Sequence, residues 1–430
     1  MHIYFSGIGG AGIGPLAQIA HQAGYEVSGS DKQDSSYIHY LREEGITNIH
    51  IGQSLEAIEL VNRKRHIDWF VYTSALPLEN PNAPELLYCR EQVIKTSKRD
   101  EFLNTIIKDN QLDLVAVAGT HGKTTTTAMI IWLFKQLNQP VSYLLPAKTN
   151  YAKMGEYDAS SHYFIYEADE FDRNFLAFEP KISVITGVSW DHHELFPTRE
   201  NYQSAFREFL SQSHETFIWN EDADYLSLNS DDVNILDSND QQIRSIKLLG
   251  KYNRLDAWLA IQTVHKITDA PVDQLTEIIN RFPGLSRRME EIATNLYTDY
   301  AHTPEKIRAA MSVAMEMAAE SDQRLVVIYE PLTNRRQHYM IDDYKDCFEG
   351  ASQIYWVPSY LAREDLSQRI ITPEEMITHL SNSQIASPLE LDEQLQQVIK
   401  AHLDNGNMVV AMTGGGGGSL DEWLRKNFGD

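Results

Sequence analysis

Cysteine is scarce in this sequence: Cys89 and Cys347 are the only two in 430 residues. One stands in each half of the chain, where a bridge is conceivable, but two isolated thiols in an intracellular protein are the reading the numbers favour. Basic residues are also in short supply, with 37 Lys and Arg against 61 Asp and Glu and a formal net charge of −24. Non-specific binding to nucleic acid needs a positive face that displaces counterions, so that class is excluded. Phosphate ligands are not excluded, because backbone N–H groups and one or two lysines bind them inside an acidic protein. Long apolar runs are missing as well. No stretch approaches the roughly 20 residues that cross a bilayer. The opening "MHIYFSGIGG" carries no basic leader, so neither a membrane span nor a signal peptide is expected.

The chain is too long for one ordinary core, which predicts two or three domains. Its 42% hydrophobic and 23% charged residues place it with soluble globular proteins, and a cytoplasmic monomer or homodimer is expected. Apolar runs that suit buried strands ("MHIYFSGI", "YEVSGS", "DWFVYTSA", "LDLVAVAG", "HYFIYEAD", "KISVITGV", "RLVVIYEP", "QIYWVPSY", "NMVVAMTG") alternate with helix-length segments such as "TPEKIRAAMSVAMEMAAE". Strand then helix, repeated, means right-handed crossovers and parallel sheets, an α/β fold class with ligands at the carboxyl ends of strands. The polar "KDNQLD" marks one boundary and "RFPGLSRRMEEI" a second. The expected domains are therefore 1–108, 109–283 and 284–430. The acidic segment "NEDADYLSLNSDDVNILDSNDQQ" is read as a solvated, partly irregular part of the middle domain.

"GIGGAG" supplies Gly7, Gly9 and Gly12 in the order G-x-G-x-x-G between a strand and a helix, and Asp31 follows about 20 residues on. Such a turn lets backbone approach a diphosphate that faces a helix N-terminus. A tight strand-to-helix turn without a ligand is the plainer alternative. If a ligand is bound, the motif alone leaves NAD, FAD or another nucleotide diphosphate open.

"GTHGKTT" follows the run "LVAVA". Gly122, Lys123 and Thr124 match the end of the phosphate-loop pattern, with Gly119 in place of the usual first glycine, so the loop is short. Backbone N–H groups would surround the phosphates, Lys123 would neutralise charge, and the Thr124 hydroxyl would meet Mg²⁺. The later threonines of the run suit helix filler. "FIYEADEFD" ends one strand with Glu167, Asp169, Glu170 and Asp172, and "SVITGVSWDHHELF" ends the next with Asp191, His192 and His193. Acidic strand ends are usually solvated loops or caps, and a lone histidine is usually a satisfied core group. Beside a phosphate loop the balance shifts toward a metal site. Thr124, Glu167 and His192 are the preferred ligands, with Asp169 and Glu170 as further candidates.

Together, "GTHGKTTTT", "EADEFDRNFL", "WDHHELF", "GKYNRLDAWLA", "GLSRRMEEI" and "DYAHTPEKI" resemble the Mur ligase family, the ATP-dependent amide ligases that build the peptide of bacterial cell-wall precursors. "FSGIGGAGIGPLA", "YEVSGSD", "TSALPLENP" and "SYLARED" resemble the branch that joins L-alanine to UDP-N-acetylmuramate. The resemblance implies three domains: a Rossmann-like one for the UDP-sugar, a central P-loop ATPase-type parallel-sheet one for ATP, and a Rossmann-like C-terminal one for the amino acid. It implies that Gly9, Gly10, Ala11 and Gly12 contact the diphosphate, with Ser28, Ser30, Asp31 and Ser74 also on the UDP-sugar. Gly119, Thr120, His121, Gly122, Lys123, Thr124, Thr125, Asn253, Arg288 and Asp299 would hold ATP, and Glu167 and His192 would complete the Mg²⁺ site. Lys123, Glu167, His192 and Arg288 would carry catalysis, and His302, Arg335 and Arg336 would receive the amino acid.

Three departures fall where the amino acid should bind. Tyr252 stands where this branch usually has histidine, Thr303 replaces a second histidine, and Glu330-Pro331-Leu332 replaces "QPH". A ligase that recycles an L-Ala-γ-D-Glu-diamino acid tripeptide is therefore a rival, although "GIGGAG" differs from that branch's usual start. A NAD-dependent oxidoreductase would use the first glycine motif and leave the phosphate loop without a role. A regulatory ATP-binding protein that has lost catalysis is a third, opposed by the intact Lys123, Glu167 and His192. The chemistry expected is activation of a carboxylate as an acyl phosphate followed by amine attack, which needs positioning and charge neutralisation more than a protein nucleophile.

Overall fold

The computed structural model describes residues 1–73, 76–77, 80–192, 195–229, 233–361 and 368–429. All nine anticipated strands are present, within three sheets built in chain order. The first sheet comprises β1 (His2–Ser6), β2 (Glu26–Asp31), β3 (Ile49–Ile51), β4 (Trp69–Tyr72) and β5 (Lys95–Lys98), in the order β3-β2-β1-β4-β5. Every pairing in it is parallel. The strand order reverses around β1, which places the glycine-rich turn after β1 at the crevice where ligands of doubly wound sheets bind.

The second sheet holds β6 (Asp113–Ala118), β7 (Ser142–Leu144), β8 (Gly155–Glu156), β9 (Tyr163–Glu167), β10 (Ile182–Ile185), β11 (Glu215–Trp219) and β12 (Asn234–Leu236). Its order is β12-β11-β10-β6-β9-β7-β8. The central β6 lies between β9 and β10, so the phosphate loop, the acidic strand end and the histidine-bearing segment all leave from one edge of three adjacent strands. The run Leu114–Ala118 is buried throughout, as a strand covered on both faces must be. Only the short β7–β8 pair is antiparallel. The acidic segment, expected to be solvated and partly irregular, contains the helix Asn220–Tyr225 and the edge strand β12.

The third sheet comprises β13 (Glu290–Ala293), β14 (Leu296–Asp299), β15 (Leu325–Glu330), β16 (Gln353–Trp356), β17 (Ala386–Pro388) and β18 (Met408–Thr413). Its order is β13-β14-β18-β15-β16-β17, parallel apart from the β13–β14 pair. The helix Pro304–Glu320 matches the expected helical stretch, with Pro304 at its first turn where a missing N–H costs nothing. Packing divides the chain into two compact units: residues 1–246 with 256–283, carrying the first two sheets, and residues 247–255 with 284–430, carrying the third. Cys89 and Cys347 are both free and buried. Among the described residues no helix is long and apolar enough to cross a membrane.

Candidate phosphate-transfer site

The loop after β6 is shaped by two glycines that no other residue replaces cheaply. Gly119 has φ +141°, and a Cβ there would stand 2.5 Å from Thr186 Oγ1. Gly122 adopts the left-handed conformation, φ +80°, as the cap before the helix Lys123–Gln136. Between them the loop is pinned to the segment that follows β10. The Thr120 N–H donates to Gly187 O at 2.8 Å. The Thr120 hydroxyl donates to Ser189 O at 2.7 Å and lies 2.8 Å from Tyr202 OH. The Thr186 hydroxyl donates to His121 O. Thr124 and Thr125 occupy the first turn of a 14-residue helix, whose N-terminal dipole favours an anion at the loop.

The charged groups converge on this loop. Lys123 Nζ donates to Gly119 O and to Glu170 Oε2, each at 2.6 Å. The second oxygen of Glu170 lies 3.6 Å from His192 Nε2 and accepts a long hydrogen bond, 3.5 Å, from Tyr202 OH. The Thr124 hydroxyl donates to Glu167 Oε2 at 2.7 Å. Burial pushes the Glu167 carboxyl up. Burial also raises Asp169, helped by its neighbour Glu170. Burial acts the same way on Glu170, but Lys123 and His192 outweigh it and bring that carboxyl down to about 2. Lys123 keeps its charge because Glu170, Asp169 and Glu167 together overcome its own desolvation. His192 holds φ +54°, a conformation uncommon outside glycine and of the kind that clusters at working sites. The second histidine, His193, lies outside the described residues.

Thr124 and Glu167 offer hard oxygen ligands side by side, the donor set that suits Mg²⁺. Among the described residues no three His, Cys, Asp or Glu side chains converge to hold a metal unaided. His192 stands against Glu170 rather than against Glu167 in the contacts observed. Sequence reasoning ranked Glu170 below Glu167, yet it is Glu170 that holds the loop lysine. Asp256, unmarked in the sequence, packs under the loop: a Cβ on Gly122 would meet its Oδ1 at 2.6 Å.

At the glycine-rich turn after β1, the Gly9 N–H donates to Asp31 Oδ2 at 2.8 Å and Gly7 takes φ +82°. Asp31 therefore braces the turn itself. Gly10 and Ala11 are exposed at its tip. Ser28 and Ser30 are fully buried: the Ser28 hydroxyl meets His2 Nε2 at 2.8 Å, and the Ser30 hydroxyl donates to Glu85 Oε1 at 2.5 Å. Glu85, another residue the sequence did not flag, also accepts from Tyr4 and Ser6. Ser74 lies outside the described residues.

In the unit built on the third sheet, Arg288 Nη1 lies 3.7 Å from Asp299 Oδ1 at the end of β14. Asp299 also accepts from the Met289 N–H at 3.0 Å, and burial raises its carboxyl. His302 is buried, with Nδ1 2.8 Å from Tyr300 O. Burial pushes its imidazole well below the usual range, and Lys306, Arg336 and Arg288 add to the effect. Its ring packs on the backbone of Gly414, where a Cβ would meet it at 2.7 Å. Arg335 and Arg336 sit on the short helix Asn334–Met340, capped by Thr333. Asn253 Nδ2 donates to Leu249 O at 2.8 Å, and the neighbouring Arg254 grips Glu316 through two hydrogen bonds. Glu330, one of the atypical residues, is buried and accepts from the Thr413 hydroxyl and from the Leu420 N–H at 3.1 Å, capping the final helix.

A parallel sheet whose central strand delivers a short phosphate loop, a charged lysine and a hydroxyl–carboxylate pair defines a nucleotide-dependent phosphoryl-transfer enzyme. The family is shown by sequence models covering most of the chain: the catalytic domain of the Mur ligase family matches residues 2–111, the Mur ligase middle domain 117–242, and the Mur ligase glutamate ligase domain 287–415. The chain belongs to the Mur ligase family, whose members are ATP-dependent ligases. It is 26% identical to a UDP-N-acetylmuramate–L-alanine ligase of Clostridium perfringens, covering 96% of this chain and 95% of that protein. A protein of the same name from Clostridium novyi is 28% identical, with 96% and 94% covered. The crystal structure of UDP-N-acetylmuramate-alanine ligase from Thermotoga maritima superposes with a TM-score of 0.75 at 23% identity, over 99% of this chain and 98% of that one. A murein peptide ligase from Psychrobacter arcticus gives 0.67 at 20% identity, over 100% and 99%. These structures carry the three-domain α/β fold across the whole chain.

Proposed function

We propose that this protein joins L-alanine to the carboxylate of UDP-N-acetylmuramate, with ATP as phosphoryl donor, in cytoplasmic synthesis of peptidoglycan precursors. The observation that carries the reading is the intact phosphate-transfer constellation of Lys123, Thr124, Glu167, Glu170 and His192 in a chain whose full-length relatives bear that name. The division of labour proposed is residues 1–108 for the UDP-sugar, 109–283 for ATP and 284–430 for the amino acid.

In this reading Lys123 turns from Glu170 to the β- and γ-phosphates, and the loop N–H groups and helix N-terminus hold the remaining charge. Thr124, Glu167 and His192 would hold Mg²⁺, which would supply charge neutralisation at the phosphates. The sugar carboxylate takes the γ-phosphoryl group and ADP leaves. The amine of the amino acid then attacks the acyl carbon, phosphate departs, and the nitrogen gives up a proton. Arg288 and Asp299 are assigned to the nucleotide, and His302, Arg335 and Arg336 to the amino acid. His302, neutral and packed on Gly414, gives that end of the third sheet a buried, uncharged lining, and Arg288 over the Tyr300 ring stands beside it as the cation assigned to the nucleotide.

The test is ADP release with UDP-N-acetylmuramate and Mg-ATP, screened against single amino acids and the L-Ala-γ-D-Glu-diamino acid tripeptide. Turnover with L-alanine is expected. Turnover with the tripeptide alone would move the protein to the recycling branch, which the residues Tyr252, Thr303 and Leu332 keep in view. Silence with every amine would sink the sugar assignment.

A further inference from the structure

The glycine-rich turn faces a cation that the sequence motif does not contain. Arg99 opens the helix Arg99–Asp109 directly after β5, and its guanidinium lies over Gly12: a Cβ on Gly12 would stand 2.1 Å from Nη1. The side chain is three-quarters buried, at 24% exposure. Its acidic neighbours do not use up its donors. Nε donates to Asp100 Oδ2 at 3.3 Å, and Nη2 comes only to 3.8 Å from Asp169 Oδ2, an ion pair beyond hydrogen-bond distance. Asp100 is itself engaged by the Tyr166 hydroxyl, and Asp172 by Lys98. Among the described residues, no acceptor meets the terminal N–H groups of Arg99 or the N–H groups of Ala11 and Gly12.

A guanidinium with spare donors, beside two spare backbone N–H groups and ahead of a helix that starts at Gly14, is a donor set suited to a diphosphate, which accepts charge-assisted hydrogen bonds from such groups. In a protein with a formal charge of −24, a dianionic ligand needs a local cation, and Arg99 is seated on the turn. Its second carboxylate neighbour, Asp169, belongs to the acidic end of β9, so the same side chain stands between the glycine-rich turn and the phosphate-transfer site. We propose that Arg99 is a further ligand-binding residue, donating to the diphosphate of the UDP-sugar across Gly12. The inference rests on the proposed UDP-sugar reading and adds to it a residue 87 positions from the motif. Gly12 then serves less to touch the phosphate than to leave room for the guanidinium.

Calorimetric titration of UDP-N-acetylmuramate and of UDP into the native protein, Arg99→Met and Arg99→Lys tests this, with a non-hydrolysable ATP analogue titrated into each. Arg99→Met keeps the aliphatic stem, so loss of packing does not mimic loss of charge. The expected result is affinity for both UDP ligands roughly tenfold or more weaker in Arg99→Met, partly restored in Arg99→Lys, with ATP-analogue affinity within about twofold of native. UDP-ligand affinity unchanged in Arg99→Met would overturn the proposal. So would an equal loss toward the ATP analogue accompanied by a lowered melting temperature, which marks a structural arginine. If the native protein binds neither UDP ligand, the UDP-sugar reading falls first and Arg99's role with it.

Discussion

Lys123 and Glu170 form a buried ion pair at the phosphate loop, Nζ to Oε2 at 2.6 Å, with Glu170 only 1% exposed. The pair parks the loop's lysine on a protein carboxylate, and a phosphate would have to compete for it. Removing one partner of a buried pair leaves an uncompensated charge that costs about 3 to 5 kcal/mol, while replacing both by neutral groups is nearly neutral.

Lys123→Ala should therefore do two separable things. It should cut ADP release by about a hundredfold or more, as loss of a phosphate-binding cation does. It should also lower stability by about 3 kcal/mol, because Glu170 is then left buried without its lysine partner. Adding Glu170→Gln should restore most of the stability and none of the turnover. Denaturant unfolding beside an ADP assay reads both, and normal turnover in Lys123→Ala would remove the loop from the mechanism.

Gly122→Ala tests the loop's shape. The left-handed φ of +80° costs an L-residue roughly 1 to 2 kcal/mol, and the new methyl would meet Asp256 at 2.6 Å. ATP affinity should fall while UDP-sugar affinity holds. Adding Asp256→Ala relieves the clash but not the backbone strain, so recovery should be partial. Full recovery would mean the conformation of Gly122 carries no cost.

How much of this was legible in the sequence follows from range. The buried strands announced themselves because both faces of β6, β9 and β15 are covered and read as unbroken apolar runs. Short edge strands such as Ile49–Ile51 and Asn234–Leu236 carry too few residues for any pattern, and β11 was hidden beside an acidic stretch. The phosphate loop was legible because its glycines, lysine and hydroxyl are contiguous. Which carboxylate of Glu167, Asp169 and Glu170 takes the lysine was not, since β9 ends at Glu167 and no regular element fixes where the following side chains point. Asp256 meets the loop at Gly122, Arg99 meets the turn at Gly12 and Glu85 meets Ser30 across 134, 87 and 55 positions of chain. Nothing local marks them.

The metal assignment predicts a division between Glu167 and His192. Glu167 shares a hydrogen bond with Thr124, the hydroxyl expected at the ion, so Glu167→Gln should weaken apparent Mg²⁺ affinity strongly, about tenfold or more. His192 contacts Glu170, so His192→Ala should raise the Mg²⁺ requirement by a smaller factor. Mg²⁺ titrations of ADP release at saturating ATP measure both. Unchanged metal dependence in His192→Ala would strike that residue from the ligand set.

His302 supplies a prediction with a definite sign. Burial, with Lys306, Arg336 and Arg288 in support, holds its imidazole well below the ordinary value of about 6.5. In the unfolded chain the same ring takes up a proton as pH falls through about 6.5, whereas in the folded protein it stays neutral. Stability from this group is therefore complete above about pH 6.5 and is lost on acidification toward the folded value, at up to about 1.4 kcal/mol per pH unit. By proton NMR, the imidazole signal that vanishes in His302→Gln should show no titration midpoint near about 6.5, the ordinary imidazole value. Gly414→Ala pushes a methyl into the ring, which should broaden or shift that signal and raise KM for the amino acid more than KM for ATP. A His302 signal that titrates with a midpoint near 6.5 in the native protein would show that the pocket at the end of β14 is open to water, and the proposed neutral, buried lining for the amino acid would have to be given up.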